Sequence, residues 1–519
     1  MYLIGYVVCT VVAAILYYFL LPAITFASLG FWAYIFFVLM IYALYSILVK
    51  GSAGKTPAIF FGSLAGAAFA IIIIGGIISL PIFRANSYAS LISNRIESKE
   101  IEEYTPTIDN VPLMDKATAV LLANRTMGSL VNEVSQYDLG TSIQINYQDK
   151  PIRVIPLQYA GFFKWINNRN EGIPSYITVD MTSQKTEIHR LENGMNYSPS
   201  GYFEDDLMRY LRFKYPTSMF GEPVFEIDDE GNPYWVVPQL EHRVGLFGGK
   251  DVKGIVTVDA INGDVIQYSI DDVPESIDNV YPTDILINLY NNYGKYQDGF
   301  LNSIFGQKGV IQTTEGYNYI PQDDDIWVYT GVTSVVSDES NVGFIYMNKR
   351  TKEIQYYEVP GAEEYSAMAS AQGMVQNLGY ASTFPLLLQI ENQPTYCVAL
   401  KDAGGLVKMY GLVNMTQYQI VVTGTTIDEC LAKYRVALKN NGQTVTEPET
   451  TEMTGIIEDI RTANKEGTTY LYIKMVDNPF YYVFSVLDDE SIILANIGDE
   501  ISFNVPVESN TEIIRATLN

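Results

Sequence analysis

The sequence predicts a membrane-anchored α+β protein with three N-terminal transmembrane helices, two repeated units of sheet plus helix, and a small C-terminal β-barrel. Three observations predict this fold class: an N-terminus almost without charge, a hairpin pattern that recurs, and a tail of five short strand patterns. The chain of 519 residues is long enough for roughly three or four compact domains. The predicted segments are an anchor (1–84), a stalk with a first α/β segment (85–171), unit one (172–280), a connecting segment (281–339), unit two (340–440) and the barrel (451–519).

The first 84 residues predict the membrane anchor. They contain no Asp or Glu, and their only basic residues are Lys50, Lys55 and Arg84. Three apolar runs reach the roughly 20 residues that a helix needs to cross a bilayer. These runs are Tyr2–Phe26, Gly30–Val49 and Ala58–Phe83. A cleaved signal peptide is disfavoured, because it would have a basic start and a single short apolar run.

The two lysines of the second loop predict the orientation. Lys50 and Lys55 favour a cytoplasmic position for that loop, because cytoplasmic loops carry an excess of basic residues. The N-terminus is then inside, the third helix leads outward, and residues 85–519 lie outside the cytoplasmic membrane. Gly62 and Gly66 have the spacing that lets two helices approach closely. Packing within the anchor and homo-oligomerisation both satisfy that spacing.

The charge distribution excludes one class of partner. The formal net charge is −26, and every acidic residue follows residue 84. Nucleic-acid binding requires a surplus of Lys and Arg to neutralise phosphates, so no nucleic-acid partner is expected. We expect an integral membrane protein with a protein partner in the cell envelope.

A repeated order of elements predicts a duplicated unit. Residues near 176–268 and 344–422 both read as hairpin, helix, hairpin and hairpin, with the helices at Glu204–Tyr215 and Glu363–Gly379. The hairpins share an Asx residue, a polar turn, and then an acidic residue before a β-branched one, which is favourable turn chemistry. This form occurs at Asp259-Ala-Ile-Asn-Gly-Asp-Val, at Asn348-Lys-Arg-Thr-Lys-Glu-Ile and, in a longer version, from Asp180 to Thr186-Glu-Ile.

The hairpin Val256-Thr-Val-Asp-Ala-Ile-Asn-Gly-Asp-Val resembles PepSY-type domains, whose hallmark is an apolar strand, Asp, a short Gly-containing turn and a second strand. The resemblance covers 172–275 and 340–425. The second unit departs from the pattern, because Thr351-Lys352 stands where Asn-Gly is found in the first. PepSY-type domains are generally extracytoplasmic modules, some associated with restraining peptidases. The resemblance therefore implies binding or regulation rather than chemistry.

The C-terminal tail resembles an OB-fold barrel, and an SH3-like barrel is the alternative. Its five predicted strands are Met453–Arg461, Thr468–Val476, Phe480–Val486, Glu500–Val505 and Glu512–Thr517, with a helical piece at Glu490–Ala495. The predicted core residues are Ile456, Ile460, Leu471, Ile473, Val483, Ile501 and Phe503. OB-folds often stack bases on aromatic residues. In this acidic segment, however, we expect Tyr470, Tyr472, Tyr481 and Phe484 to pack barrel faces.

Two acidic clusters are weak candidates for a calcium site. They are Asp228-Asp229-Glu230-Gly231-Asn232 and Asp323-Asp324-Asp325, with Asp228, Asp229, Asp323 and Asp325 as the candidate ligands. Neither cluster has the alternating ligand spacing of an EF-hand. Solvated turns are the favoured interpretation, and no cofactor is predicted.

Cys397 and Cys430 are the only cysteines outside the anchor. An exterior location permits a disulfide between them, and two buried thiols are an equal alternative. His189 and His242 are too few for a zinc site, and no catalytic residue is predicted.

Three functional hypotheses follow from the sequence. The first is a membrane-anchored extracytoplasmic scaffold or binding protein that acts through protein–protein contacts. The second, implied by the PepSY resemblance, is an accessory regulator or inhibitor of an envelope peptidase. The third is an envelope enzyme or a phage-encoded membrane protein.

Overall fold

The structure is a computed structural model that divides into two compact units, Met1–Asn441 and Gly442–Asn519. The structure describes the residues 2–48, 52–101, 111–130, 133–322, 324–334, 340–443, 445, 450–465, 468–486, 490–506, 513–515 and 517–518. The predicted fold class is confirmed at the level of an α+β protein that begins with three long apolar helices.

The anchor consists of three helices, α1 (Tyr2–Leu20), α2 (Leu29–Leu48) and α3 (Ser52–Ile78). Each is long and apolar enough to cross a membrane. The first helix ends earlier than its apolar run predicts, and Leu21 there has a positive φ of 48°. The third begins earlier than predicted, which places Lys55 in its first turn, while Lys50 lies outside the described residues.

The segment after the anchor differs from the predicted stalk. A short helix, Pro81–Ala89, is followed by the strand Ile96–Lys99. This strand pairs in parallel with Ile354–Tyr357, more than 250 residues later in the chain. Ile96 packs onto the hydrophobic core there, so an apolar residue within a charged stretch joins the segment to a sheet. The local sequence could not predict a partner so far away.

The first unit, as far as it is described, contains four sheets, one of which includes Ile96–Lys99. Sheet 1 contains Tyr137–Leu139, Ile143–Tyr147, Lys150–Tyr159, Ile173–Asp180 and Thr186–Met195. Sheet 2 contains Met219–Phe220, Val224–Ile227, Pro233–Val244, Gly248–Asp259 and Val265–Ser269. Sheet 3 contains Ile311–Thr313, Asn318–Gln322, Asp325–Ser334, Ser340–Asn348 and Ile354–Tyr357, to which Ile96–Lys99 and Gly361–Ala362 add. Sheet 4 contains Ala381–Ser382, Leu386–Ile390, Gln393–Lys401, Val407–Asn414 and Val421–Gly424.

The four sheets share one topology. In each, the first two strands are short and pair along one side of the third strand, while the fourth and fifth follow in order on its other side. A helix precedes each sheet, at Lys116–Met127, Leu207–Lys214, Thr283–Tyr296 and Glu364–Met374. Two more helices are Phe162–Asn168, within sheet 1, and Ile427–Asn440, after sheet 4. Short 3₁₀ or π turns occur at Ser93–Arg95, Phe203–Asp205, Ile270–Asp272, Asn302–Gly306 and Gln376–Leu378.

An Asx hairpin follows the fourth strand of every one of these sheets, at the three places where the sequence predicts one and also at Asn414, where it was not predicted. Its Asx residues are Asp180, Asp259, Asn348 and Asn414. In each case the Oδ1 atom accepts hydrogen bonds from the backbone N–H groups two and three residues later, at 2.7 to 3.0 Å. The side chain thus satisfies the turn backbone, which is the physical reason for an Asx residue at this point.

Strand pairing sets boundaries that differ from the two predicted units. The first hairpin of unit one belongs to sheet 1, and the remaining strands of that unit form sheet 2. The first hairpin of unit two belongs to sheet 3, and the rest form sheet 4. Turn patterns along a chain identify hairpins but do not specify which hairpins share a sheet. Each predicted unit therefore combined the last hairpin of one sheet with strands of the next sheet.

Two large clusters of buried residues hold the sheets together. One contains residues of sheets 1 and 2, including Trp165, Tyr176 and Phe225, which are each at most 2% exposed. The other contains residues of sheets 2 and 3 and of the helix Thr283–Tyr296. Burial of this much apolar surface is the main driving force for the fold.

The C-terminal unit has its own core. Its strands are Thr450–Lys465, Thr468–Met475, Tyr481–Ser485, Glu500–Pro506, Ile513–Arg515 and Thr517–Leu518, with a 3₁₀ turn at Glu490–Leu494. Leu471, Ile473 and Phe503 are buried as predicted, but Ile456 is 50% exposed and Ile457 is buried instead. The pairing shifts register between Ile457 and Asp459, so the alternation changes face there.

Candidate functional site

A pocket of about 710 Å³ lies where sheets 1, 3 and 4 meet. The helix Lys116–Met127 forms part of its wall, and Phe384, between the first two strands of sheet 4, forms another part. The polar residues that line this pocket, called the basic pocket here because three of them are cationic and one is acidic, are Asp115, Lys116, Ser142, Gln144, Arg153, Asn279, Tyr317, Asn318, Tyr319 and Lys349. It is basic although the whole chain is strongly acidic.

Arg153 is the central residue of the basic pocket. It lies on the third strand of sheet 1, directly opposite Gln144, and is only 4% exposed. Its guanidinium donates two long hydrogen bonds of 3.4 Å, to the Ser142 carbonyl and to Gln144 Oε1. Its Nε has no hydrogen-bond partner among the described residues. Burial lowers the pKa of Arg153, which reflects the cost of keeping its charge away from water.

Two neighbouring polar groups are also unsatisfied. Ser142 Oγ and Gln144 Nε2 are buried and have no hydrogen-bond partner in the part of the chain that the structure describes. Both side chains are 3% exposed. Buried polar groups in native proteins are normally hydrogen-bonded, so three unpartnered groups beside one pocket require an explanation.

Lys349 supplies a second buried cation. Its Nζ donates to Asn279 Oδ1 and lies 5.1 Å from the centre of the Tyr319 ring. Burial lowers the pKa of Lys349 to about 8, and Arg153 adds to that effect, while Glu226 and Asp278 oppose it.

A buried acidic network lies behind Lys349. Glu226 is 1% exposed and accepts hydrogen bonds from the backbone and side chain of Asn279, at 2.9 and 2.7 Å, and from the Tyr234 hydroxyl at 3.0 Å. Burial raises the pKa of Glu226. Burial, together with the charges of Glu226 and Asp325, holds the pKa of Asp278 well above its usual value. Asn279 therefore connects the acidic network to the lysine.

Asp115 does not supply the missing partner of Arg153. It caps the helix Lys116–Met127 by accepting from Thr118 N at 3.0 Å, and it pairs with Lys401 at 2.6 Å. Burial raises the pKa of Asp115, but the hydrogen bonds from Lys401 and Thr118 outweigh that effect and leave it below the usual value. The carboxylate is therefore already neutralised on the side of sheet 4.

The structure brings the two predicted acidic clusters to one place. Asp228, Asp229 and Asp324 line a smaller pocket of about 230 Å³, the acidic pocket. Asp228 caps its own turn through three hydrogen bonds of 2.7 to 3.1 Å, as expected of a solvated turn. Asp325 instead binds Arg350 and Asn348 within sheet 3, and Asp323 lies outside the described residues. Over the described ranges, no group of three or more His, Cys, Asp or Glu residues is placed to hold a metal ion.

The cysteines and histidines lie in separate local environments. Cys397 and Cys430 are free, buried thiols in the structure, and burial raises the pKa of each to about 12. His189 stacks on Tyr176 with ring centres 4.9 Å apart, and burial lowers its pKa. His242 forms a 2.9 Å hydrogen bond with the carbonyl of Ala27 in the first loop of the anchor.

Two further sets of predicted residues can be placed. A Cβ atom at Gly62 or Gly66 would meet no described atom within 4 Å, so packing inside the anchor does not use these positions, and oligomerisation through them stays a prediction. In the C-terminal unit Phe484 is 2% exposed and packs against Phe503, whereas the Tyr481 hydroxyl donates to Asp459 at 2.9 Å.

Sequence reasoning missed Arg153, Gln144 and Lys349. A signal existed for the first two, because polar residues alternate there with apolar ones in Ser142-Ile-Gln-Ile and Ile152-Arg-Val-Ile, and an inward-facing polar residue in such a strand is unusual. Lys349 directly follows an Asx residue in a turn, where a lysine normally lies in solvent. Only the packing of sheet 3 against its neighbours buries it.

No protein-family model matches the chain, and no curated protein matches its sequence. The chemical properties of the site therefore rest on the geometry alone. The guanidinium Nε of Arg153, the amide Nε2 of Gln144 and the hydroxyl of Ser142 have no hydrogen-bond partner among the described residues, and such groups beside a buried cation are suited to holding an anion by charge-assisted hydrogen bonds.

Proposed function

We propose that this protein is a membrane-anchored, extracytoplasmic binding protein of the cell envelope that acts through protein–protein contacts. The observation that carries the proposal is an exposed aromatic surface next to the membrane anchor. It consists of Phe162, Phe163, Tyr202 and Phe203, whose exposed fractions are 37%, 78%, 37% and 43%. Contiguous exposed apolar patches on soluble domains commonly mark sites of interaction.

Firm attachment of sheet 2 to the anchor supports the proposal. Arg212 Nε donates to the Leu21 carbonyl at 2.9 Å, and Ile24 N donates to the Pro216 carbonyl at 2.7 Å. The Ser79 hydroxyl, at the end of α3, accepts from the backbone N–H groups of Leu246 and Phe247 at 3.0 Å each. These bonds attach the helix before sheet 2 and sheet 2 itself to the loop between α1 and α2 and to the C-terminal end of α3.

The aromatic surface lies close to that junction. Arg209 donates both to the Phe203 carbonyl at 3.0 Å and to the Tyr18 carbonyl of α1 at 3.3 Å. Phe162 and Tyr202 contact each other edge to face, with ring centres 5.0 Å apart. A surface so near the anchor is suited to a partner that is itself held at the membrane.

The proposed orientation places the sheets outside the cell. The sheets attach at the ends Leu20, Leu29 and Ile78 of the three helices, whereas Lys55 lies in the first turn of α3, at its other end. Cytoplasmic loops are enriched in lysine, which supports a cytoplasmic position for Lys55 and an exterior one for the sheets.

Regulation of an envelope peptidase is the second candidate function. The Asx hairpin on which the PepSY resemblance rests occurs four times, once in each of sheets 1 to 4, and a helix precedes each sheet. This recurrence supports a chain built from PepSY-like modules, and with it a regulatory role.

We further propose that the C-terminal unit is an OB-type barrel. Tyr481–Val483 pairs in parallel with Ile513–Arg515, and Phe503–Asn504 pairs with Thr517–Leu518. These two short segments are the end strands of a six-stranded order whose middle strands are Thr468–Met475 and Thr450–Lys465. The parallel pairing of Ile513–Arg515 with Tyr481–Ser485 supports an OB-type barrel over an SH3-like one.

Cysteine labelling tests the orientation. Ser183→Cys lies in an exposed turn of sheet 1 and Thr56→Cys lies at the Lys55 end of α3, while the native cysteines are all buried. On intact cells a membrane-impermeant maleimide is expected to label Ser183→Cys alone, and Thr56→Cys only after permeabilisation. The reverse pattern would place the sheets in the cytoplasm.

Photo-crosslinking in living cells tests the protein contact. A benzoylphenylalanine at Phe163 is expected to capture a defined protein, whereas one at Tyr418, which is 48% exposed on sheet 4, serves as the matched control. Capture of lipid only, or the same products from both positions, would contradict a protein partner at the aromatic surface.

A further inference from the structure

We propose that the basic pocket binds an organic carboxylate, with Arg153 as its main ligand-binding residue and Gln144 and Ser142 as additional hydrogen-bond donors. This inference goes beyond the proposed function, which concerns protein contacts at the aromatic surface. It rests on the pocket near Arg153 and not on the orientation of the protein in the membrane.

The first argument is a buried guanidinium whose Nε has no hydrogen-bond partner among the described residues and whose other two bonds go to neutral oxygens. Removing a charge from water is costly unless an opposite charge and good hydrogen bonds compensate it. Arg153 is 4% exposed, and its hydrogen bonds to neutral oxygens are long, at 3.4 Å each. The planar fork of a guanidinium matches a carboxylate through two parallel hydrogen bonds.

The two additional donors support the same ligand class. Gln144 Nε2 and the Ser142 hydroxyl lie beside Arg153 and have no partners in the described structure. An amide nitrogen can only donate, which means that its missing partner is an acceptor. A carboxylate offers about four acceptor positions on two oxygens, enough for the guanidinium and both neighbours.

The balance of charge favours a single negative charge. Lys349 is buried and its pKa is lowered in part by Arg153, while the charges of Glu226 and Asp278 act in the opposite direction. Burial holds the pKa of Asp278 well above its usual value, and Asp115 is paired with Lys401. The charge of Asp115 acts on Arg153, but among the described residues no carboxylate forms an ion pair with Arg153, and a bound monoanion would supply that pair.

The walls favour an organic ligand over a bare inorganic ion. Ala117, Val120, Ile143 and Phe384 line the pocket together with the polar residues. A volume of about 710 Å³ falls in the range of small-molecule sites, roughly 300–1,000 Å³, which are mainly apolar with a few placed polar groups. A carboxylate attached to an aromatic or aliphatic group fits both the cation and these walls.

Calorimetric titration of the full-length protein in a non-ionic detergent tests the proposal. The probe is 3-phenylpropionate, and the neutral comparison is 3-phenylpropanol, which keeps the ring and loses the charge. We expect saturable binding of the acid, with an affinity at least about tenfold above that of the alcohol. Equal affinities, or no saturable binding of the acid, would overturn the proposal without any variant.

A matched pair of arginine variants locates the binding. Arg153→Gln is expected to weaken 3-phenylpropionate binding by at least about tenfold. Arg190→Gln, on the fifth strand of the same sheet with a side chain 63% exposed, should leave it unchanged. Equal loss in both variants, or unchanged binding in Arg153→Gln, would remove Arg153 from the site.

Three further probes distinguish the sources of a carboxylate. Tighter binding of the peptide Gly-Gly-Phe with a free C-terminus than of 3-phenylpropionate would support the proposal and assign the source to peptide ends. Its amidated form is expected not to bind, and binding of that form at equal strength would contradict a carboxylate. Displacement of the acid by millimolar inorganic phosphate would show a general anion site and overturn the organic assignment.

Discussion

Two buried basic side chains in the same body have opposite surroundings. Lys352, in the turn of sheet 3, is 5% exposed and donates to both carboxylate oxygens of Asp251 in sheet 2, at 2.8 and 2.7 Å. Arg153, in the basic pocket, is 4% exposed and has two long contacts with neutral oxygens. Equal burial thus accompanies a complete ion pair in one region and an unsatisfied cation in the other.

This comparison separates a structural charge from a ligand-binding one. The Lys352–Asp251 pair joins sheets 2 and 3, and it explains why the second predicted unit departs from the Asn-Gly turn. Lys352 occupies the positive-φ position, at 64°, that Gly263 occupies at 80° in sheet 2. A lysine tolerates that backbone conformation at some cost, and the buried ion pair it forms offsets the strain.

The largest expected effect is the loss of a buried partner. Lys352→Met leaves Asp251, which is 1% exposed, without its main partner, and removal of one member of a buried pair costs about 3–5 kcal/mol. Arg153→Met removes a cation that forms no ion pair among the described residues, and we expect it to leave the free energy of unfolding unchanged or raise it. Thermal unfolding in detergent, followed by dye labelling of the buried Cys397 and Cys430, measures both.

The opposite signs are the essential result. If both variants lost stability to the same extent, Arg153 would be a structural residue like Lys352 and the comparison would fail. The exposed variant Lys185→Met controls for the substitution itself, because its side chain is 71% exposed in the pair with Glu187.

The pH dependence of stability gives the second largest effect. The pKa of Lys349 is about 8 in the folded protein, against an ordinary value of 10.5. Between pH 8 and 9.5 the unfolded chain binds more protons at this residue, so its contribution to the free energy of unfolding rises with pH, by at most about 1.4 kcal/mol per pH unit. The groups that face Lys349 are Glu226, Asp278, Arg153 and Tyr319.

Tryptophan fluorescence during unfolding at pH 7.5 and 9.5 checks this expectation. Wild type should gain stability relative to Lys349→Met over that interval. If the two proteins differed in free energy of unfolding by the same amount at both pH values, Lys349 would titrate outside this range and its pKa would not be lowered to about 8.

The smallest effect concerns a polar group whose partners are near solvent. Asp180 is half-buried and accepts from Thr182 N and Ser183 N, at 2.9 and 2.8 Å. Asp180→Ala should cost about 0.5–1.5 kcal/mol, because water can replace part of what is lost. Asp180→Asn retains the accepting oxygen and should restore most of the stability. If Asp180→Ala lost as much free energy of unfolding as Lys352→Met, the expected difference between buried and solvent-exposed partners would be wrong.

Much of the local structure could be predicted from the sequence. The three apolar helices follow from run length and missing charge, and the Asx hairpins follow from turn chemistry. The fit between these patterns and the structure is good because each depends on residues close together in the chain.

The arrangement of the sheets and the basic pocket could not be predicted in this way. Alternation shows that Arg153 shares a face with its second neighbours, but it does not show that sheets 3 and 4 cover that face. Likewise the partner of Ile96–Lys99 and the register shift after Ile457 depend on contacts with distant strands. The most informative residues of the site are polar groups that lack a partner, which only the assembled structure reveals.

One substitution tests most directly the claim that Arg153 lacks a carboxylate that a ligand supplies. Gln144→Glu places a carboxylate of nearly the same shape where Gln144 Oε1 already lies 3.4 Å from the guanidinium. The expected result is a higher free energy of unfolding than wild type together with loss of 3-phenylpropionate binding, because the new side chain takes the place of the ligand. Lower stability, or binding as strong as in the wild-type protein, would contradict the account.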